Sequence, residues 1–245
     1  MSDAPPLADR IALVTGASRG IGRASALALA KAGAQVIVTA RTEGALTELD
    51  DEVRASTGRS LTLVPAKLEN GGALDRLGAA IHERWGRLDV LVAAAGQLGP
   101  LTPLAHLDTR DWEKTLNVNL TANWRLIRSL DPLFRASPSA RPIFLTSSVA
   151  RVPKAFWGPY AVSKAGLEAT VRTYAEETDH TPIRPVILDP GRMRTQMRAE
   201  AYPGEDPSTL PDPAEIGPLV VALARGDHQP APYVSFREWA AANAT

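Results

Sequence analysis

Tyr160 and Lys164 form a pair of side chains that can move a proton. They flank the tripeptide Ala-Val-Ser, and residues at positions i and i+4 lie on the same face of a helix. A free tyrosine has a pKa of about 10, so a phenol that exchanges a proton near neutral pH needs a positive charge beside it. The lysine ammonium can provide that charge. The same spacing also occurs between exposed helix residues without a function, so further motifs must decide.

Residues 15–22, with the sequence Thr-Gly-Ala-Ser-Arg-Gly-Ile-Gly, form a second candidate site. Glycines at such a place allow the backbone to turn tightly and to approach a pyrophosphate, whose charge then faces the free N–H groups of a helix N-terminus. The spacing is GxxxGxG and not the GxGxxG of the common dinucleotide fingerprint. Taken alone, it is equally typical of a nucleotide-binding loop and of an ordinary strand-to-helix turn.

The elements that must position these residues alternate between strands and helices. Apolar runs rich in Val, Ile and Leu predict strands at 11–15, 35–40, 61–66, 89–94, 142–146, 183–188 and 233–236. Helical composition predicts helices at 21–32, 43–56, 73–85, 108–136, 158–178 and 214–225. This alternation indicates an α/β fold, a single Rossmann-type doubly wound parallel sheet of about seven strands with helices on both faces. Ligands of such sheets bind in a crevice beyond the carboxyl ends of the strands.

The composition favours a globular protein of one domain spanning residues 1–245. Its 27 basic and 27 acidic residues give a net charge of zero, which argues against binding to nucleic acid or to an anionic membrane. Cysteine is absent and the histidines at 82, 106, 180 and 228 are scattered, so no metal site is expected. The acidic, proline-bearing N-terminus and the lack of a long apolar segment predict a cytoplasmic protein. The polar, proline-rich residues 192–213 predict a lid over the crevice.

Ordered motifs along the chain extend both candidate sites. They are TGASRGIG at 15–22, AAG at 94–96, NVN at 117–119, SS at 147–148, YAVSK at 160–164, and PG at 190–191 followed by Thr195. In this order they resemble the short-chain dehydrogenase/reductase family from about residue 9 to residue 195. Within that family, the chain is similar to a bacterial subgroup whose members are mostly known as generic oxidoreductases.

The resemblance implies a catalytic set of Asn119, Ser147, Tyr160 and Lys164. Tyr160 would protonate a substrate carbonyl oxygen while nicotinamide delivers hydride, or act as the base in the reverse direction. Ser147, thirteen residues before Tyr160, would hydrogen-bond the carbonyl, with Ser148 as the alternative. Asn119 would bend the long helix and pass protons to the lysine through a water. Lys164 would also hold the nicotinamide ribose.

The cofactor expected from the resemblance is NADP(H) in preference to NAD(H). An NAD site usually carries an acid about 20 residues past the glycine loop, whereas Ala40 and Arg41 stand there in this chain. Arg41 and Arg19 would bracket a 2′-phosphate. The other implied cofactor contacts are Gly16, Ser18, Gly20, Ile21, Gly22, Leu68, Ala95, Gly96, Val118, Tyr160, Lys164, Pro190, Gly191, Met193 and Thr195.

Three positions depart from the family pattern. The family's Asn-Asn-Ala-Gly is Ala-Ala-Ala-Gly at 93–96, the aspartate expected after the third strand is Lys67, and the asparagine expected four residues before Pro190 is Val186. These changes concern the adenosine side and the scaffold. They bear on cofactor affinity rather than on proton transfer.

The function predicted is therefore an oxidoreductase acting on a small-molecule carbonyl or alcohol. The alternative is a dinucleotide-sensing regulator that turns nothing over, but this chain keeps the tyrosine and the lysine that such proteins commonly lose. Five cations border the substrate space, namely Arg151, Lys154, Arg192, Arg194 and Arg198. They suit an acidic substrate, but the interpretation favoured by the sequence is that they are solvated or pair with the cofactor pyrophosphate and with lid acids. In this family the helices at 108–136 and 158–178 pair across a two-fold axis, which implies a homodimer or homotetramer.

Overall fold

A parallel sheet lies at the centre of the computed structural model, which describes residues 4–226 and 232–243. The strands are β1 (Ile11–Thr15), β2 (Gln35–Ala40), β3 (Thr62–Pro65), β4 (Val90–Ala93), β5 (Arg141–Leu145), β6 (Val186–Asp189) and β7 (Tyr233–Ser235). The helices are α1 (Gly20–Lys31), α2 (Glu43–Thr57), α3 (Gly71–Trp85), α4 (Thr109–Leu116), α5 (Ala122–Arg135), α6 (Gly158–Glu177), α7 (Gln196–Ala201), α8 (Gly217–Arg225) and α9 (Phe236–Ala242).

The strand order confirms the predicted fold class. In the described residues the sheet has seven strands in the order β3-β2-β1-β4-β5-β6-β7, and every pair is parallel. The direction of winding reverses between β1 and β4. Because both strands end at the same edge, the reversal leaves a crevice beyond their carboxyl ends.

Two apolar layers cover the faces of the sheet. Alternate residues of a strand point to opposite faces, and in β1 Ala12 and Val14 join one layer while Leu13 joins the other. The first layer takes apolar residues from α1, α2 and α8, and the second takes them from α3, α5 and α6. Strands that are buried on both faces explain why the sequence shows continuous apolar runs instead of alternation.

Several predicted element boundaries were wrong, each for a local reason. Strand β6 starts at Val186 instead of Ile183 because Pro185 has no N–H for the ladder; Ile183 makes only an isolated bridge to Ala140. The predicted helix 108–136 is interrupted by a π-turn at Asn117–Thr121. The predicted helix from Ala214 begins as a 3₁₀ turn, Pro213–Ile216. Finally, Phe236 opens α9, because the Ser235 hydroxyl accepts the Glu238 N–H and caps it.

No helix within 4–226 and 232–243 is long and apolar enough to cross a membrane. No group of three or more His, Cys, Asp or Glu side chains in these ranges is arranged to hold a metal ion. His228, one of the scattered histidines, lies outside the described residues.

Candidate active site

A cavity of about 630 Å³ opens at the carboxyl ends of the central strands. Most of the predicted cofactor residues line it: Gly16, Ser18, Arg19, Gly20, Ile21, Gly22, Arg41, Leu68, Ala95, Gly96, Val118, Tyr160, Lys164, Pro190 and Thr195. These residues come from five loops, two α-helices and the π-helical turn Asn117–Thr121. The parallel sheet brings them together because all of its strands end at the same edge.

The glycine loop is packed so closely that a side chain at Gly16 or Gly22 would collide with backbone. Gly16 has a φ of +69°, and a Cβ there would lie 2.7 Å from the Cα of Ala95. A Cβ on Gly22 would overlap the carbonyl oxygen of Gly16. Helix α1 begins at Gly20 with no acid in its first turn and no side-chain cap from Arg19. Its first N–H groups therefore remain available, and the loop fits the pyrophosphate of a dinucleotide.

Basic side chains mark the far corner of the cavity. Arg41, exposed after β2, lines the cavity beside Ala40. Arg19 donates a hydrogen bond to the side chain of Gln196, on α7. Arg23 also lines the cavity and forms an ion pair with Glu52. The family motifs did not single out this pair, because the two residues come together only when α1 packs on α2.

Helix α6 places Tyr160 at the inner end of the cavity. The Ser147 side chain lies near the Tyr160 hydroxyl and acts to lower the pKa of that phenol, whereas Ser148 is exposed. Burial, with a smaller contribution from the negative charge of Asp189, raises the pKa of Tyr160 to about 12, although the Ser147 side chain opposes the rise. The geometry therefore favours Ser147 over Ser148 as the partner of the phenol.

Lys164 lies one turn further along α6 and is buried. Its Nζ donates a hydrogen bond to the carbonyl oxygen of Leu145 at 2.8 Å and lies 5.8 Å from the centre of the Tyr160 ring. Burial lowers the pKa of Lys164 to about 8. The lysine is thus near enough to Tyr160 to stabilise a phenolate, and its own charge is costly to bury.

Asn119 lies in the π-turn between α4 and α5, where a π-bulge often marks a functional position. Its Nδ2 donates to the carbonyl oxygen of Gln97 at 2.9 Å, and its Oδ1 accepts the N–H of Gln97, also at 2.9 Å. Nδ2 also contacts Ser163 Oγ, at 3.0 Å. Asn119 therefore joins the loop after β4 to α6 at the residue before Lys164. The π-helical turn interrupts the helix at the residue where the family resemblance implies a bend.

Only some of the predicted residues in the segment after β6 line the cavity. Pro190 and Thr195 line the cavity, and the Thr195 hydroxyl accepts the N–H of Arg198 at the start of α7. Gly191 and Met193 are not part of the lining. Met193 is 2% exposed and packs in the core, because an unbranched apolar side chain next to the sheet is more stable there than in a polar cleft.

Most of the five cations predicted at the substrate space are ion-paired. Arg151 binds Asp189 at 2.9 Å, Arg194 binds Asp212 and Arg198 binds Glu205. Lys154 donates to the hydroxyl of Tyr202 at 3.1 Å. Three of the five cations, all arginines, are therefore already neutralised by acids. This corrects the hypothesis that the five cations form a rim for an acidic substrate.

Comparison with known proteins decides the family. The sequence model of the short chain dehydrogenase family matches residues 10–206. The chain belongs to the short-chain dehydrogenase family. The uncharacterized oxidoreductase YciK of Escherichia coli (strain K12) is 38% identical over 226 residues, 90% of this chain and 88% of YciK. The predicted family is confirmed. Its membership of this family makes this short-chain dehydrogenase an oxidoreductase.

Two solved structures of this family are closely similar in fold. A short chain dehydrogenase from Shigella flexneri 2a str. 301, solved in complex with NADP, is 34% identical with a TM-score of 0.90, and the match covers 95% of this chain and 98% of the other. A short chain dehydrogenase from Escherichia coli CFT073, solved with NADPH, is 35% identical with a TM-score of 0.90, over 96% and 98% of the two chains.

Several residues of this short-chain dehydrogenase were missed by the sequence analysis. The Thr15 hydroxyl accepts the N–H of Ala95 at 3.2 Å, which ties β1 to the loop where the family's asparagines are absent. Glu168 accepts a hydrogen bond from Thr146 at 2.7 Å. Its spacing of four from Lys164 placed it on the same helix face and was a usable pattern. Asp189 next to Pro190 carried no comparable pattern.

Proposed function

We propose that this protein is an NADP(H)-dependent oxidoreductase that interconverts a small carbonyl compound and its alcohol. The observation that carries the proposal is that Tyr160 and Lys164 line the inner end of the cavity together, with Ser147 near enough to Tyr160 to lower the pKa of its phenol. A phenol and a hydroxyl side by side can both donate hydrogen bonds to one carbonyl oxygen. That arrangement polarises the carbonyl carbon for attack.

Tyr160 is the proton donor in the reducing direction and the acceptor in the oxidising direction. A nicotinamide bound in the cavity would supply or accept the hydride. When the carbonyl oxygen gains negative charge, the Tyr160 O–H proton moves to it, and the phenolate left behind is stabilised by the Ser147 hydroxyl and the Lys164 ammonium. The phenolate needs this help because burial raises the pKa of Tyr160 to about 12.

The residues that line the cavity suit the phosphates of NADP. The glycine loop and the first N–H groups of α1 would take the pyrophosphate. Arg41 and Arg19 would take the 2′-phosphate, and the absence of an acid at residues 40 and 41 removes the repulsion that an NAD site would present. The NADP and NADPH complexes of two similar family members support the same choice. Pro190 and Thr195 would border the nicotinamide.

Three further properties belong to the proposal. Residues 192–213 would act as the lid, since the Trp157 and Tyr202 rings, with centroids 5.7 Å apart, join it to the loop before α6. A homodimer or homotetramer would pair α4, α5 and α6. Trp124 (47% exposed) and Val162 (45% exposed) offer apolar surface for it, whereas Leu167 is 1% exposed and belongs to the core. The location would be cytoplasmic.

The test is a panel of aldehydes and ketones with NADPH, and of alcohols with NADP⁺, on the purified protein. The variant Tyr160→Phe should lose about 10³ to 10⁴-fold in kcat and keep its Kd for NADPH, because the ring still packs but has no proton to give. Tyr174→Phe is the matched control. It removes the hydroxyl of a buried tyrosine on the same helix, but that hydroxyl donates to Asp131 and lies away from the cavity.

Two outcomes would contradict the proposal. A Tyr160→Phe variant that keeps more than about a tenth of the wild-type kcat would remove Tyr160 from its role. Tight NADPH binding without turnover of any panel compound would favour the dinucleotide-sensing alternative.

A further inference from the structure

Two loops that border the cavity meet at one buried carboxylate, Asp189, the last residue of β6. Its Oδ1 accepts the N–H of Gly191 at 3.0 Å. Its Oδ2 accepts hydrogen bonds from Arg151 Nη2, at 2.9 Å, and from the Tyr233 hydroxyl, at 2.8 Å. Asp189 therefore joins the loop after β6 to the turn after β5 and to β7.

Arg151 ends the turn that begins with Ser147. The Ala150 N–H donates to the carbonyl oxygen of Ser147 at 2.9 Å, which closes a 3₁₀ turn directly before Arg151. The guanidinium carbon of Arg151 lies 3.9 Å from the centre of the Tyr233 ring. Stacking and an ion pair together hold a guanidinium in a defined orientation.

A second carboxylate, Glu168 on α6, holds the other end of the same turn. It accepts the Thr146 hydroxyl at 2.7 Å, and its Oε1 lies 3.7 Å from Arg151 Nε. Ser147 is thus flanked by two residues whose side chains are tied to buried acids. Nothing in the turn's own sequence explains this, since the two acids come from a helix and a strand that follow it in the chain.

We propose that Asp189 and Arg151 are positioning residues that hold Ser147 against Tyr160 and hold Gly191 at the border of the cavity. The inference rests on the proposed function, because the place of Ser147 matters for turnover only if it and Tyr160 bind a substrate carbonyl. A displacement of about 1 Å in such a group can cost on the order of 10²-fold in rate.

Asp189 also acts on the charge of Tyr160. The charged and titratable groups around it are Lys164 on its own helix, Asp189 from β6 and Arg151 from the turn. Tyr233 donates to Asp189, and Glu168 lies 3.7 Å from Arg151 and 3.7 Å from Arg172. Asp189 contributes to the raised pKa of Tyr160, so removing its negative charge should lower that pKa.

The experiment compares Arg151→Met, Arg151→Lys and Asp189→Asn with the wild type. Arg135→Met is the control, because it breaks an arginine–aspartate pair with a 2.7 Å contact on the exposed side of α5. Two measurements are made: amide hydrogen exchange of peptides covering residues 147–152, and the pH dependence of kcat for carbonyl reduction with NADPH. Hydrogen exchange is independent of turnover, so it reports on the turn even if the activity assay fails.

If Asp189 and Arg151 position the turn, amide hydrogen exchange at residues 147–152 should be faster in Arg151→Met and in Asp189→Asn. It should not be faster in Arg135→Met. Both variants should lose about 10- to 100-fold in kcat while the Kd for NADPH changes by less than about threefold, and Arg151→Lys should recover part of the loss. Asp189→Asn should also change the pH dependence of kcat, because the pKa of Tyr160 falls, and Arg135→Met should leave it unchanged.

Unchanged exchange in both variants would overturn the inference. If the wild type reduces no carbonyl, the proposed function fails while the exchange data still decide whether the pair positions the turn. If the wild type is active and both variants match it within about twofold in kcat, the positioning role fails and the proposed function stands.

Discussion

Asn119 and Gln97 bind each other twice: the amide Nδ2 donates to the backbone carbonyl and the amide Oδ1 accepts the backbone N–H, both at 2.9 Å. The loop that carries Gln97 crosses the cavity just after β4. In this loop the family's asparagines are replaced by alanines at 93 and 94. The side chain of Asn119 therefore provides polar contacts that the loop does not make for itself.

The variant Asn119→Leu should destabilise the protein and weaken cofactor binding. It leaves the N–H and the carbonyl of a half-buried residue without partners, which costs about 1–3 kcal/mol in the free energy of unfolding. Denaturant unfolding measures this loss, and fluorescence titration with NADPH measures the binding. A variant Asn119→Leu as stable as wild type would contradict this account of the loop.

The neighbouring serines offer a matched pair of substitutions. Ser147→Ala removes the hydroxyl that lowers the pKa of Tyr160, so that pKa should rise and kcat should fall by about 10²-fold. Ser148→Ala should change kcat by less than about twofold, because Ser148 is exposed and does not act on the pKa of Tyr160. Steady-state kinetics over a range of pH checks both. A larger effect at Ser148 would make it the catalytic serine.

Arg41→Asp should reverse or erase the preference for NADPH. An arginine attracts the 2′-phosphate and an aspartate repels it, and charged hydrogen bonds contribute about 1.5–3 kcal/mol each. The ratio of kcat/KM for NADPH and NADH should then fall by at least about tenfold. Arg84→Asp, a similar charge change at the end of α3, is the control. Equal or better turnover of the wild type with NADH would show the cofactor assignment to be wrong.

Lys164→Met should stabilise the protein at pH 7 while abolishing turnover. Burial lowers the pKa of Lys164 from 10.5 to about 8. Below pH 8 the folded state therefore contains a buried ammonium, which lowers the free energy of unfolding. This cost disappears as the pH rises from about 8 to 10.5, because the folded state releases its proton before the unfolded state does. The variant's advantage, about 1–3 kcal/mol at pH 7, should shrink over that interval.

Chemical denaturation at several pH values between 7 and 10.5 measures the effect of Lys164→Met. Lys31→Met, at the exposed end of α1, serves as the control and should show no such trend. A Lys164→Met protein that is less stable than wild type at pH 7 would mean that the bond to the Leu145 carbonyl outweighs the cost of burying the charge.

The sequence by itself was sufficient to predict the sheet, the glycine loop and the pair Tyr160 and Lys164. Each of these depends on local spacing: apolar runs specify strands buried on both faces, glycines specify a tight approach, and a separation of four specifies one helix face. The interruption at Asn119 was expected only from family resemblance. Strand ends were less certain, as Pro185 shows, because a single missing N–H moves the boundary.

Tertiary structure decided which side chains meet. It placed Ser147 and not Ser148 on Tyr160, took Met193 into the core, and joined Arg151 and Asp189, which are far apart in the chain. A sequence shows that arginines are present, but it does not show whether an acid from another strand neutralises them. Charged and polar side chains are long enough to reach several partners, and the burial and distance that select one partner exist only once the sheet has been assembled.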